Sequence, residues 1–172
     1  QKLIESIEPT YIFSNRPINR FKALDMKIPN KEKNKTKELL KLKEKINSIE
    51  NCNLKKNSKN LILGDGKLNS SIMLIGEAPG KIEDETGIPF QGDTGNLLNK
   101  MLLSINISRE QVYLAYSINF RPPDDRKPTS QEIKRYSIYL QEQILIINPK
   151  IIILMGSTAM EAVTSLNNKI SN

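Results

Sequence analysis

Three short apolar runs, each closed by a loop, constrain the fold of this chain more than any other feature. They read SSIMLIG at 70–76, QVYLAYSI at 111–118 and PKIIILMG at 149–156. Each run has the length of a buried strand, and segments with apolar residues at helical spacing follow the runs. Strand–helix alternation of this kind predicts an α/β fold, a three-layer αβα arrangement around a central parallel sheet. In such sheets, ligands bind at the carboxyl ends of the strands.

Helix signals lie on both sides of these runs. Thr129 and Glu132 form a capping box ahead of apolar residues at helical spacing. We also expect Asp93 to cap a helix through NLLNKMLLSI, and KELLKLKEKINSI to form a helix near the start. Residues 1–34 are interpreted as a basic, irregular N-terminal arm, and residues 35–172 as one globular domain.

Composition narrows the classes of partner and compartment. The chain has 26 basic and 19 acidic residues among 172, so an anionic partner such as nucleic acid is favoured over a membrane. No run reaches the roughly 18 apolar residues of a membrane span. A single cysteine excludes a disulfide framework and favours a reducing compartment, so we expect a cytoplasmic protein. We also expect the protein to act as a monomer. The chain has no histidine, which excludes imidazole chemistry within these residues.

The loop GEAPGKIEDETGIPFQGDTGNLL at 76–98 follows the first apolar run, and three interpretations compete for it. It matches neither GxGxxG nor GxxxxGK[ST], and its carboxylates would repel a polyphosphate, which argues against a nucleotide loop. A plain connection between buried elements is the second possibility. A pocket for a neutral, flat ligand fits better, because the glycines and Pro79 allow close backbone approach and Phe90 offers a stacking face.

A second loop, NFRPPDDRKP at 119–128, follows the second apolar run. Arg121, Arg126 and Lys127 lie there, next to a predicted helix N-terminus, which suits contact with DNA phosphates. Asp124 and Asp125 dilute the charge, so a solvated loop is the alternative.

Together these motifs resemble the family 4 uracil-DNA glycosylases, the iron–sulfur type of bacteria and archaea. The resemblance rests on GEAPG at 76–80, the Glu83–Asp84 pair, GIPF at 87–90, GDTGNLL at 92–98 and RPPDDRKP at 121–128, and covers about residues 36–166. It implies a base excision repair enzyme that flips uracil out of DNA and hydrolyses its N-glycosidic bond.

The resemblance also implies roles for particular residues. Gly76, Glu77 and Ala78 are expected to line the uracil pocket, and Phe90 to stack on the base. Glu77 is the expected catalytic residue, which positions or polarises the attacking water. The family's uracil-reading asparagine is Tyr116 in this chain, whose ring could fill the pocket.

The chain departs from the family at its metal centre. The four cysteines that bind the family's [4Fe–4S] cluster correspond to Ile49, Cys52, Phe120 and Tyr136. A cluster needs four thiolates or close equivalents, so we expect no cluster and no other cofactor. We expect the other three side chains to pack into the space of the cluster.

A histidine-proline-serine motif of the family is expected beyond Asn172, so the domain is interpreted as lacking its C-terminal part. Three functions are therefore compared: an active uracil-DNA glycosylase, a non-catalytic nucleic-acid-binding remnant, and a glycosylase-like module of a larger polymerase or repair protein.

Overall fold

The structure, a computed structural model, describes residues 31–164. In chain order the elements are α1 (Lys31–Asn47), α2 (Asn53–Asn57), β1 (Asp65–Gly66), β2 (Ile72–Gly76), α3 (Lys81–Thr86), α4 (Gly92–Ser104), β3 (Tyr113–Tyr116), α5 (Ser130–Ile147), β4 (Ile151–Leu154) and α6 (Ser157–Thr164). Short 3₁₀ helices, Arg109–Gln111 and Pro123–Asp125, lie in two of the connections.

The described strands form one sheet in the order β1-β3-β2-β4. β2 pairs in parallel with both β3 and β4, so the predicted parallel sheet is confirmed. Gly76 and Tyr116 are register partners at the carboxyl ends of β2 and β3. The two-residue β1 pairs antiparallel to β3 and was not predicted, because two exposed residues carry no periodic signal.

Apolar side chains alternate between the two faces of the sheet, as the pleat requires. Met73 and Ile75 of β2 pack in the core that also contains residues of α1, α5 and α6, whereas Leu74 packs with Leu98 and Leu102 of α4. Helices therefore cover both faces, and the α/β layer arrangement is confirmed.

The first helix overlaps the last four residues of the predicted arm, and the division of the chain into arm and domain stays a prediction. α1 begins at Lys31, so residues 31–34 are helical instead of irregular, and the remainder of the proposed arm lies outside the described residues. Within α1, Lys35 is only 7% exposed, and its Nζ donates to the backbone oxygens of Leu68 and Ile147 at 3.0 and 2.6 Å. Lys35 thus ties the first helix to the segments around Leu68 and Ile147.

Two cap predictions have different outcomes. Thr129 is the N-cap of α5 and forms the predicted capping box with Glu132. The prediction for Asp93 is wrong: Gln91 is the N-cap of α4, and Asp93 lies in its first turn. A negative charge in the first turn still interacts favourably with the helix dipole, although Asp93 does not cap the helix.

β4 is an edge strand of the described sheet. Its side chains Ile152 and Leu154 pack on the core of α1, α5 and α6, whereas Ile151 and Ile153, on the other face, are 54% and 41% exposed. Among residues 31–164 no helix is long and apolar enough to cross a membrane.

Candidate functional site

One cavity lies at the carboxyl ends of the parallel strands. It has a volume of about 330 Å³ and contains the five predicted pocket residues, Gly76, Glu77, Ala78, Phe90 and Tyr116. Gly80, Glu83, Thr94 and Met155 complete its lining. The strand order brings these residues together because β2 and β3 end side by side, and the loop after β2 folds back over them.

Two aromatic rings dominate the cavity. The rings of Phe90 and Tyr116 are stacked, with centroids 4.6 Å apart and an interplanar angle of 23°. Both lie over Gly76: a Cβ there would come within 2.7 Å of Phe90 Cζ and 3.0 Å of the Tyr116 ring. Glycine at position 76 is therefore required by the two rings, and the family asparagine position is occupied by a stacked phenol.

Phe90 is held in a backbone conformation that is rare for a bulky residue. Its φ is +54°, in the left-handed region. Its N–H donates to Tyr116 Oη at 3.0 Å, and its carbonyl accepts from Arg109 Nη1 at 3.2 Å. Gly95 allows the same carbonyl to approach, since a Cβ at that position would lie 1.9 Å from the oxygen. Such strain persists only where the surroundings over-determine it, and it is typical of ligand-binding loops.

Glu83 connects the two ends of the loop. Its buried carboxylate accepts the N–H of Gly80 and the N–H of Gln91, each at 3.0 Å, and Oε1 lies 3.5 Å from Tyr116 Oη. Asp84, also buried, accepts the N–H groups of residues 59 and 60. The acidic pair of the motif therefore positions backbone and does not point freely into the cavity.

The Tyr116 hydroxyl is neutral in this environment. Burial raises the pKa of the hydroxyl well above its ordinary value, and the nearby Glu83 carboxylate raises it further. A protonated phenol can donate to Glu83 while it accepts from Phe90. Asn119, the next asparagine along the chain, is buried and donates its Nδ2 to the Ile62 carbonyl at 3.0 Å, so it does not replace the missing asparagine.

Glu77 lies at the edge of the cavity, half-buried, and faces the first turn of α6. Its Oε2 accepts the hydroxyl proton of Thr158 at 2.6 Å, and Thr158 itself is buried. Among the residues that the structure describes, none donates a hydrogen bond to the other oxygen, Oε1. Thr158 thus orients one oxygen of the Glu77 carboxylate.

Arg109 and Thr158 were missed by the sequence analysis. Arg109 reaches the loop from a 3₁₀ turn ahead of β3, where its Nη2 also donates to the Pro89 carbonyl at 2.6 Å. Neither residue belongs to a local motif. An isolated arginine next to a buried strand was the only available signal for the first, and no signal indicated the second.

The three predicted DNA contacts lie on the loop between β3 and α5. Arg121 forms a bidentate pair with Asp125 at 2.6 and 2.8 Å, and Arg126 forms one with Glu132 at 2.7 and 2.9 Å. The Arg126 guanidinium lowers the pKa of Glu132 to about 2. Lys127 is exposed. DNA binding by these side chains remains a prediction, and phosphate would have to compete with the two ion pairs.

The four positions that correspond to the cluster ligands lie in one part of the core. Cys52 Sγ is 3.1 Å from Tyr136 Oη, the rings of Phe120 and Tyr136 meet edge to face at 6.2 Å, and Ile49 packs against the same core. Burial and the Cys52 contact raise the pKa of Tyr136 well above its ordinary range. One thiol and one neutral phenol do not fit a cluster that takes four thiolates, so these residues do not support a [4Fe–4S] group. The expected packing of the aromatic side chains is confirmed.

The chain belongs to the uracil-DNA glycosylase superfamily, whose family model matches residues 63–171. That range contains the whole sheet and every residue that lines the cavity. Within the superfamily, its similarity is to the type-4 branch. The chain is 40% identical over 117 residues to the type-4 uracil-DNA glycosylase of Thermotoga maritima, and the aligned region covers 68% of this chain and 61% of that protein. It is 42% identical over 119 residues to the type-4 enzyme of Sulfurisphaera tokodaii, which covers 69% and 54%. The resemblance predicted from the motifs is confirmed.

One further similarity bears on the interpretation of the chain as a module of a larger polymerase. A DNA polymerase of Bacillus phage SP01 is 30% identical over 104 residues, but the match covers only 11% of the polymerase and does not favour the interpretation of a polymerase module. The chain spans between 53% and 66% of the length of the type-4 relatives.

Proposed function

We propose that this chain carries the base pocket of a type-4 uracil-DNA glycosylase and acts in base excision repair on uracil flipped out of DNA. The observation that carries the proposal is the single cavity in which Gly76, Glu77 and Phe90 meet at the ends of β2 and its loop. A flipped base needs a pocket that is open to DNA on one side and offers a ring for stacking. The similarity to the type-4 relatives supports the same assignment.

In the proposed reaction, water attacks C1′ of the deoxyribose and the C1′–N1 bond breaks. The bonding electrons leave with uracil as its anion, and the water proton passes to the carboxylate of Glu77. Thr158 holds Oε2 of that carboxylate at 2.6 Å, so Oε1 takes the water. The negative carboxylate also stabilises the cationic sugar that develops as the bond breaks.

DNA contact is assigned to the loop between β3 and α5. Arg121, Arg126 and Lys127 would meet phosphates, with each arginine exchanging its carboxylate partner for a phosphate oxygen. Lys81, at the start of α3, adds a further cation: the pKa of Asp125 is lowered chiefly by the Arg121 side chain and, to a smaller extent, by the positive charge of Lys81. The net charge of +7 supports an anionic partner.

We further propose that the protein acts as a monomer in the cytoplasm of a bacterium. The single cysteine, buried against Tyr136, supports a reducing compartment.

A second candidate function is that of a non-catalytic DNA-binding protein. The observation that favours it is the ring of Tyr116, which stacks on Phe90 at 4.6 Å where the family has an asparagine.

One assay separates the two candidates. The chain is incubated with single- and double-stranded oligonucleotides that contain one uracil, and abasic sites are revealed by alkaline strand cleavage. Glu77→Gln, prepared in parallel, measures the background, and Glu85→Gln is the matched control because Glu85 is an exposed carboxylate outside the cavity. Cleavage by the wild type and Glu85→Gln well above Glu77→Gln supports the enzyme. DNA binding without cleavage supports the second candidate.

A further inference from the structure

One face of the Phe90 ring is covered by the ring of Tyr116. Tyr116 lies on its ring at 4.6 Å, close to parallel, and both rings project over Gly76. A base inserted between two rings needs about 7 Å between them, twice the base-stacking repeat of about 3.4 Å. The observed spacing leaves no slot for a base between these two side chains.

Tyr116 is fixed in this position from several directions. Its backbone belongs to β3 and is in register with Gly76, so the Cα cannot move without disturbing the sheet. Its side chain is 5% exposed, and its hydroxyl accepts the Phe90 N–H at 3.0 Å. A rotation that freed the stacking face would break this bond and expose the ring to water.

The part of the cavity that remains has a different character. Glu77 and Thr94 bring polar side chains to it, and Ala78 and Met155 supply apolar surface. Glu77 keeps one carboxylate oxygen without a donor among the described residues, and Thr94 is an exposed residue of the lining. These groups suit the hydroxyls of a sugar, and they offer no second aromatic face for a base.

We propose that Tyr116 takes the place of the flipped base, so that this pocket binds the base-free deoxyribose of an abasic site in DNA in preference to a uracil nucleotide. The proposal rests on the second candidate function, a non-catalytic DNA-binding protein, and names the DNA lesion that such a protein binds. In a bound complex the phenol ring lies where the base of a substrate would stack, and the sugar occupies the cavity beside Glu77. Tyr116 is therefore a specificity-determining residue.

The test measures binding by fluorescence anisotropy to three duplexes that differ at one position, which carries thymine, uracil or the abasic analogue tetrahydrofuran. The wild type is expected to bind the tetrahydrofuran duplex about 10- to 100-fold more tightly than the uracil duplex, the range expected when one base–aromatic stack is denied. Tyr116→Asn removes the ring and is expected to abolish or reverse this ratio. Tyr116→Phe keeps the ring and is expected to retain it.

Tyr139→Asn is the matched control, because Tyr139 lies on α5 and packs against the core of the opposite face of the sheet. It is expected to leave the ratio unchanged. A wild type that binds uracil as tightly as tetrahydrofuran would overturn the proposal and leave the glycosylase assignment intact. An unchanged ratio in a folded Tyr116→Asn would also overturn it. If no variant distinguishes either lesion from thymine, the assignment of the cavity as a lesion pocket fails as well.

Discussion

Replacing Glu83 with glutamine tests whether the buried carboxylate holds the loop over the cavity. Glu83 is 7% exposed, and its two oxygens accept the N–H groups of Gly80 and Gln91 at 3.0 Å each. Glutamine keeps one oxygen, but its NH₂ group then faces the second N–H. At least one hydrogen bond to a charged acceptor, of about 1.5–3 kcal/mol, is lost, and a poorly solvated donor is left without a partner.

We therefore expect Glu83→Gln to lower the free energy of unfolding by about 2–3 kcal/mol, or the Tm by about 4–12 °C in a chain of this size. Urea denaturation followed by circular dichroism measures the first, and a thermal scan measures the second. Glu85→Gln makes the same charge change in the same helix, at an exposed side chain 4.0 Å from Lys59, and is expected to change stability by less than about 0.5 kcal/mol. Equal stability of Glu83→Gln and Glu85→Gln would refute the assigned role of the Glu83 carboxylate.

Three other perturbations give distinct outcomes. Lys35→Met leaves the carbonyls of Leu68 and Ile147 without this donor and is expected to lower the free energy of unfolding, measured by urea denaturation, by about 1–3 kcal/mol. The same change at the exposed Lys37 is expected to be nearly neutral. Equal losses in the two variants would contradict the anchoring role of Lys35. Gly95→Ala puts a Cβ 1.9 Å from the Phe90 carbonyl oxygen, so the Tm is expected to fall by several degrees, and a Tm equal to that of the wild type would show that the loop moves freely. The pKa of Glu132 is about 2 in the folded protein against an ordinary 4.5, so the stabilisation from its ion pair is present above pH 4.5 and is lost as the pH falls toward 2. Between pH 6 and 2.5 the Tm of Glu132→Gln should therefore fall by less than the Tm of the wild type. Equal falls in Tm would contradict the pairing with Arg126.

The sheet was predictable because each inner strand is a short apolar run between turn signals, and buried parallel strands have this pattern. The strand β1 was not predictable, because its pairing is set by the neighbouring β3 and not by its own two residues. The burial of Lys35 was not predictable for a related reason: it depends on carbonyl oxygens of Leu68 and Ile147, which lie far along the chain.

Part of the candidate site could likewise be predicted from the sequence, and part of it could not. Gly76, Glu77 and Phe90 lie in one continuous motif, so their convergence followed from the motif and from the position of strand ends. The stacking of Tyr116 on Phe90 required the register of β2 with β3, which the sequence does not contain. Arg109 is a third kind of case, because it supports the loop from an element with no motif of its own.

The close packing of two rings over Gly76 restricts the order in which substitutions can be accepted in this pocket. A methyl group at that position would collide with Phe90 at 2.7 Å and with Tyr116 at 3.0 Å. Alanine at 76 is therefore admissible only after Phe90 has moved and Tyr116 has given way, whereas a smaller residue at 116 is admissible with glycine already in place. A change at the rings therefore has to precede a change at position 76, and the loss of Tyr116 alone does not release Gly76 from the contact with Phe90.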